Sequence, residues 1–421
     1  MNLIRCLPIA SVKDARQQMG RIGVEADGIR LMENKTFHLN LQVEGIPPRT
    51  ANLLKQEMLS VGGDAAVNAS VFDCSTESTN AILTGTPKQM EALLLKLNPY
   101  PGLAPLAGDL KETLHRISKT RFVIRCRKGT FPLGERTLLL GVLNVTPDSF
   151  SERGLFFDKE KAVAQGLKMV EEGADMIDIG GESTRPGSKP LDLAEELRRV
   201  IPVIESLVAK VDTPISIDTY KSSVAKAALD AGAQLINDIS ALNFDPDLAR
   251  VAATEDVPLI LMHIRGIPET MQKDVHYDSL FSEILQSLKR SVEKAEAAGV
   301  NPEQIIIDPG IGFGKNLEDN LLIIRNLPEF RVLGKPILLG TSRKSFIGRL
   351  LNGADVTERL EGTLASTVIG IMNGAHIVRC HDVLQAKRAI TIADAIRLAG
   401  VESSSFGVRS REFHENRLRL R

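Results

Sequence analysis

The chain has 421 residues, more than one ordinary domain needs and about right for a barrel of roughly 250 residues beside a smaller unit. A formal net charge of −1, with 43% hydrophobic and 25% charged residues, excludes bulk electrostatic attraction to nucleic acid and describes an ordinary globular protein. Cys6, Cys74, Cys126 and Cys380 stand far apart without a CxxC pair, which excludes a disulfide framework or a zinc site and suits a reducing compartment. No apolar run approaches the ~20 residues that span a bilayer, and the N-terminus makes a poor signal peptide, so a cytoplasmic protein without a membrane partner is expected.

Residues 1–120 read as a small α+β domain. Phe37 to Val43 alternates apolar and polar, as a half-exposed strand does. Thr50 to Leu59 predicts an amphipathic helix stopped by Gly62-Gly63. Ala65 to Phe72 and Asn80 to Leu83 predict short strands, and Thr86-Pro87 opens a helix that runs through Leu97. This stretch holds no acids, His or Cys at ligand spacing, so a structural or oligomerisation role is expected. Asn98 to Gly102 and a helix-like Asp109 to Ile117 lead onward, and residues 121–136 read as a linker.

From Thr137 the pattern changes. Strand-length apolar runs at Leu138–Leu143, Met176–Ile179, Ile215–Ile217, Leu235–Ile236, Leu259–Met262, Ile305–Ile307, Ile337–Leu339 and His376–Val378 alternate with helical stretches. Strands buried on both faces read as continuous apolar runs, and eight such βα units over residues 137–400 predict an α/β fold, a (β/α)8 TIM barrel. An open doubly wound sheet would usually carry a Gly-rich first turn, where this chain has Asn144-Val-Thr-Pro147. Residues 401–421 form a polar, basic tail with the character of a solvated terminus.

Active sites of such barrels are built at the carboxyl ends of the strands. Those positions hold Asn144, Asp178, Asp218, Asn237, Met262-His263, Asp308, Ser342-Arg343-Lys344, and Arg379 with His381. Asp218, Asn237 and Asp308 suit a flat heterocycle with several N–H donors and ring nitrogens. Asn144, Arg379 and His381 suit a phosphate with a hard cation, and Lys344 serves either group. One face for a heterocycle and another for a polyphosphate suggests displacement of a phosphate leaving group. Two loops, Asn144 to Gly154 and Gly180 to Pro190, have the length and Gly, Ser and Pro content of segments that order over a substrate.

The runs Asn144-Val-Thr-Pro-Asp-Ser-Phe150, Asp178-Ile-Gly-Gly-Glu-Ser-Thr-Arg-Pro186, Ser216-Ile-Asp-Thr219, Ile236-Asn-Asp238, Leu261-Met-His263, Asp308-Pro-Gly-Ile-Gly-Phe-Gly-Lys315, Ser342-Arg-Lys344 and Arg379-Cys-His-Asp382 resemble dihydropteroate synthases. The resemblance covers residues 137–398 and leaves the first 120 outside. It implies a folate-pathway transferase that joins 4-aminobenzoate to 6-hydroxymethyl-7,8-dihydropterin diphosphate, releasing diphosphate. By the family pattern Asp218, Asn237, Asp308 and Lys344 hold the pterin, with Met262 packed on it. Asn144 binds Mg²⁺, and Arg379 and His381 hold the diphosphate. Thr184, Arg185, Pro186, Phe313 and Ser345 shape the aminobenzoate side, and a homodimer is expected. Lys344, Asp308, Arg379 and Asp178 form the catalytic set, although Asp178 could instead anchor the second loop. Glu152-Arg153 stands where the family usually has Asp-Gly, and Cys380 replaces a small apolar residue.

Gly310 to Lys315 lacks the GxxxxGK[ST] spacing of a phosphate loop, so Lys315 reads as structural, and His263 lines the site without acting. Two other functions compete with the synthase. One is the pterin-binding domain of a folate-dependent methyltransferase, which has no need of Asn144, Arg379 and His381 on a diphosphate. The other is a scaffold whose function resides in the N-terminal domain.

Overall fold

The structure, a computed structural model, describes residues 3–146 and 159–399. The basic tail and most of the first predicted loop, with Glu152 and Arg153, lie outside these residues. Two compact units emerge, one on the chain up to Leu114 and one on His115–Arg397. No helix among the described residues is long and apolar enough to cross a membrane.

In the first unit, β1 (Leu39–Ile46), β2 (Asp64–Val67) and β3 (Thr79–Gly85) form an antiparallel sheet in the order β1-β3-β2. β3 buries alternate residues, and Ala81 and Leu83 pack with Leu54 and Met58 of helix Pro48–Ser60 and Met90 and Leu93 of helix Pro87–Leu97. Thr86 caps the latter helix in a reciprocal box with Gln89, so Thr-Pro marks its start as the sequence predicts. Helices Val12–Arg21 and Ala26–Met32 were not predicted. The first buries only Ala15 and the second buries nothing, so neither contributes a large side chain to the core.

In the second unit, the segment expected to be a linker is a β-hairpin, β4 (Phe122–Cys126) and β5 (Gly129–Leu133). Its buried Phe122, Ile124 and Leu133 pack with Leu138, Leu140, Met176, Leu235, Ile260, Ile306, Leu338 and Ile377, one apolar layer drawn from strands all around the barrel. Two buried glutamines fasten its edge. Gln304 Oε1 accepts from Arg125 N (3.1 Å) and Gln304 Nε2 donates to Arg125 O (3.2 Å), while Gln234 Oε1 accepts from Lys128 N (2.9 Å). The hairpin plugs the end of the barrel where the strands begin.

The barrel strands are β6 (Leu138–Asn144), β7 (Met176–Gly180), β8 (Ile215–Asp218), β9 (Leu235–Asp238), β10 (Leu259–Met262), β11 (Ile305–Asp308), β12 (Leu338–Leu339) and β13 (Ile377–Cys380). Among the described residues they form one parallel eight-stranded sheet, ordered β11-β10-β9-β8-β7-β6-β13-β12, and an Ile307↔Ile337 bridge closes the ring. Neighbouring side chains on each strand serve different cores. Leu138 and Leu140 join the interior layer, and Leu139 and Leu143 join the larger core under the helices. That division explains why the strands read as unbroken apolar runs. It also places the functional residues, because two positions beyond an inward-facing core residue the chain faces inward again.

Candidate active site

Two residues past the interior layer stand Asp178 (after Met176), Asn237 (after Leu235), Met262 (after Ile260), Asp308 (after Ile306) and Arg379 (after Ile377). Asp218 occupies the matching place two residues after Ser216, which pairs in register with Asp178. Strand periodicity thus assembles a polar layer above an apolar one.

Arg379 is its centre. Nε donates to Asp178 Oδ2 at 2.6 Å and Nη2 to Asp218 Oδ2 at 2.6 Å. Asn237 Nδ2 donates to the same Asp178 oxygen at 2.9 Å. Asp178 is fully buried and its Oδ1 has no partner, as is true of Ser216 Oγ on the adjacent strand. The expectation that Asp178 could anchor the second loop is therefore corrected: its partners are Arg379 and Asn237, because its inward register points it across the barrel. Burial drives the Asp218 carboxyl upward, with Arg379 opposing and Asp178 adding like charge. Burial favours a neutral guanidinium, but the facing carboxylates outweigh it and hold Arg379 firmly charged. Among the described residues, Nη1 is the guanidinium nitrogen left for a ligand.

Asp308 ends β11. Its Oδ1 accepts from Gly310 N at 2.7 Å, and burial pushes its carboxyl up to about 6. The glycines that follow are required by the turn. Gly310 has φ +73° and a Cβ there would lie 1.9 Å from His263 O; Gly314, at φ +64°, would meet Arg265 O at 2.5 Å. Gly312 N donates to the buried Asn320 Oδ1 at 2.6 Å, and Gln272 Nε2 donates to Gly312 O at 2.7 Å. Lys315 folds back under this turn. Its buried Nζ lies 2.9 Å from His263 Nδ1 and 3.0 Å from Phe313 O. Burial lowers Lys315 to about 7 and holds His263 neutral, which leaves that ring free to accept from the ammonium. Phe313 is thereby fixed in an apolar cluster with Met262, Ile239 and Met271.

Lys344 reaches the same cluster from β12. Its Nζ sits 4.0 Å from the Phe313 ring centroid, a cation–π contact. Burial lowers its ammonium to about 8, helped by Arg379 and opposed by Asp308 and Asp218. A left-handed turn at Arg343 (φ +58°) aims it. Asp382 holds that turn through Arg343 Nε (3.0 Å) and Nη2 (2.5 Å), and Arg359 Nη1 donates to Arg343 O at 3.1 Å.

Beside Arg379, His381 Nδ1 lies 3.0 Å from Ser342 Oγ, and its Nε2 lies 3.4 Å from Asn144 Nδ2. Burial, with Arg379 and Arg343 adding positive charge, lowers this imidazole to about 3 and keeps it neutral. Asn144, Asp178, Asp218, Asn237, Asp308, Lys344, Arg379 and His381 are thus gathered at one end of the barrel, and Met262 and Phe313 pack together next to them. Thr184, Arg185 and Pro186 stand outside this network on the second loop, and Ser345 is an exposed first residue of helix Ser345–Leu350. Sequence reasoning missed Glu182, Tyr220 and Lys221, whose side chains join at the root of that loop. The only available signal was that Glu182 lies among the motif residues.

Residues 140–381 match the family of pterin binding enzymes. The chain is 50% identical over 266 residues, 63% of its length and 92% of the relative, to the dihydropteroate synthase of Synechocystis. A 38% identity over 403 residues, 92% of this chain and 47% of the relative, links it to a probable bifunctional folylpolyglutamate synthase/dihydropteroate synthase of Haloferax volcanii; that similarity extends into the first unit. The solved Xanthomonas albilineans dihydropteroate synthase with 4-aminobenzoic acid superposes with a TM-score of 0.62 at 42% identity, covering 66% of this chain and 99% of that one. An eight-stranded barrel with this polar layer, and identity of this order across nearly the whole of known synthases, establish that the chain belongs to the dihydropteroate synthase family of pterin-binding transferases.

Proposed function

We propose that the polar layer performs the synthase reaction by dividing the substrate between two faces. Asp308 Oδ2, Asn237 and Asp218 accept the pterin N–H groups, Lys344 donates to the ring, and Met262 packs on its plane. Arg379 Nη1 and His381 meet the diphosphate. Thr184, Arg185, Pro186, Phe313 and Ser345 surround the 4-aminobenzoate. The amine nitrogen bonds to the pterin methylene carbon, the carbon–oxygen bond to diphosphate breaks, diphosphate leaves with the electron pair, and the nitrogen gives up one proton to water. Positive charge that develops at that carbon lies among the carboxylates of the layer, so catalysis is electrostatic and needs no covalent enzyme intermediate. The observation that carries the reading is the inward polar layer itself, with Arg379 bridging Asp178 and Asp218 at 2.6 Å each.

The donor set suits Mg²⁺ borne by the substrate. Asn144 offers a neutral amide oxygen, and among the described residues no group of three or more His, Cys, Asp or Glu could hold a metal ion. A hard cation with one protein oxygen would fill its remaining positions with phosphate oxygens and water. Asn144 would hold it, and when bound it would neutralise leaving-group charge.

Diphosphate release by the purified protein should require both substrates and should fall by about 100-fold or more in Lys344→Ala. Release without 4-aminobenzoate, or unchanged release in the variant, would contradict the reading. The methyltransferase alternative predicts retained pterin binding with no release. The pH dependence of kcat/KM for dihydropterin diphosphate should be bell-shaped. Activity rises as Asp308 ionises at about 6 and falls as Lys344 loses its proton at about 8. A flat profile between about pH 5 and 9 would remove both groups from their roles.

The expected homodimer is supported by exposed Ile369 and Met372 on helix Leu360–Met372 and Ile392 and Ile396 on the contacting helix Val383–Arg397. Among the described residues the first 120 hold no group of three or more His, Cys, Asp or Glu that could bind a metal ion, which supports a structural or assembly role for them. Sedimentation showing a monomer would overturn the dimer. The free thiols of Cys6, Cys74, Cys126 and Cys380 accord with a cytoplasmic location.

A further inference from the structure

Both ends of the second loop converge on one lysine. Lys221 Nζ donates to Glu182 Oε2 (2.7 Å) at the start of the loop, to Leu191 O (2.6 Å) at its end, and to Glu196 Oε2 (2.6 Å) on helix Leu193–Val208. The three donors of the ammonium therefore meet three separate segments. Leu191 N also donates to Glu182 Oε2 at 3.0 Å, so the root is closed twice. Tyr220 OH adds a bond to Glu182 Oε1 at 3.0 Å, and Thr219 Oγ1 one to Glu196 Oε1 at 2.8 Å. Thr219, Tyr220 and Lys221 directly follow Asp218, so the strand end that supplies a site carboxylate continues into the clamp.

The clamp is desolvated. Side-chain exposure is 18% for Lys221, 8% for Glu182 and 1% for Glu196. Two carboxylates and one ammonium in such a place stabilise a fold poorly compared with packed apolar side chains. What the arrangement supplies is position. Residues 183–190 are held with their ends together; the turn they form has two bonds of its own, Ser188 N to Arg185 O (3.0 Å) and Ser183 Oγ to Ser188 Oγ (3.0 Å), and one to a neighbouring loop, Gly187 N to Pro268 O (3.0 Å). Gly187 apart, the clamp is what ties this loop down, and a loop with fewer ties at its root has more conformations to give up on meeting a ligand.

We propose that Lys221 is a positioning residue for the transfer reaction: through Glu182, Leu191 and Glu196 it anchors the root of the loop that brings Thr184-Arg185-Pro186 to the 4-aminobenzoate. This rests on the assignment of those three residues to the aminobenzoate side. The test compares Lys221→Met, Lys221→Arg and Glu182→Gln with the parent protein. It measures KM for 4-aminobenzoate, Kd for dihydropterin diphosphate by calorimetry, and the melting temperature.

Lys221→Met should raise the aminobenzoate KM by about tenfold or more while the pterin Kd stays within about twofold. Glu182→Gln should shift KM the same way by less, and Lys221→Arg should restore part of the loss. Should Lys221→Met fail to fold, Glu182→Gln decides the matter, because it removes one charge and leaves Glu196 paired. A folded Glu182→Gln protein with an unchanged aminobenzoate KM overturns the proposal, and so does an equal weakening of both substrates, the mark of general disruption. Thr184→Ala separates the two levels. If it raises the aminobenzoate KM and the clamp variants do not, the clamp proposal alone fails; if it has no effect, the underlying assignment fails too.

Discussion

Arg379→Met should lower kcat/KM for dihydropterin diphosphate by about a thousandfold and should also weaken the fold, most strongly at alkaline pH. The two losses share one origin. In the proposed reaction Arg379 supplies the cation that meets the leaving group, and removing one such preorganised donor typically costs about 100- to 1000-fold. It is also the principal countercharge for Asp178, which is fully buried, and for Asp218, whose side chain is 9% exposed. Removing one partner of a buried pair leaves an uncompensated charge and costs about 3–5 kcal/mol. Methionine fills much of the volume, so the loss is electrostatic rather than a cavity.

The sign of the pH dependence follows. Without the guanidinium, burial and the like charges of Asp178 and Glu196 are opposed only by Lys344, and the folded-state pKa of Asp218 rises further above the unfolded value. A carboxyl raised on folding adds stability only at acid pH and loses it as pH rises through the folded pKa. The variant should therefore melt closer to the parent protein at about pH 5 than at about pH 8. Thermal denaturation at both values checks this. A variant that melts with the parent at pH 8 would show that Arg379 is not the countercharge its geometry indicates.

The barrel was legible because its strands are buried on both faces, leaving Ile305-Ile306-Ile307 and its counterparts as unbroken apolar runs. The site was legible for a related reason. A charged residue two positions beyond an inward core residue has no solvated face to turn to, so Asp178 after Met176 or Asp308 after Ile306 signals chemistry or a buried partner. What the partners are could not be read. Arg379 lies 201 residues from Asp178 and 161 from Asp218, and nothing local marks that its fork spans the two carboxylates. The hairpin at 122–133 was hidden because Arg121, Arg125, Arg127 and Lys128 lend it the look of a solvated connector, whereas Phe122, Ile124 and Leu133 form the floor of the barrel. The spacing reads Lys315 as structural, but its burial beneath the glycine turn was not foreseeable from a residue type that is seldom buried. Lys221 shows the same limit. A Lys after a strand end reads as solvated until the fold brings Glu182 and Glu196 to it.

Asp308→Asn should separate function from stability. The carboxylate accepts from Gly310 N with Oδ1, and in the proposed reaction its Oδ2 takes the pterin. An asparagine that keeps its oxygen on Gly310 turns an NH2 group toward a ligand that also offers N–H donors. One charge-assisted hydrogen bond is lost, worth about 1.5–3 kcal/mol, and a donor faces a donor. The affinity for dihydropterin diphosphate should fall by about 100-fold or more. Stability should move the other way. Burial raises the Asp308 carboxyl to about 6, above its unfolded value, so this group stabilises the fold at acid pH and loses that contribution as pH rises through about 6. At neutral pH the parent therefore holds a charge that the fold disfavours. The amide removes it while keeping the Gly310 bond, so the variant should melt at or above the parent at about pH 7.5 and lose this advantage toward about pH 4. Calorimetric titration with the pterin substrate and melting curves at the two pH values give both readouts. Unchanged affinity would remove Asp308 from the pterin face, whereas weakened affinity with a lowered melting point at pH 7.5 would make it a structural residue of the glycine turn. A gain in stability with a loss of binding is what a carboxylate kept for its ligand must produce.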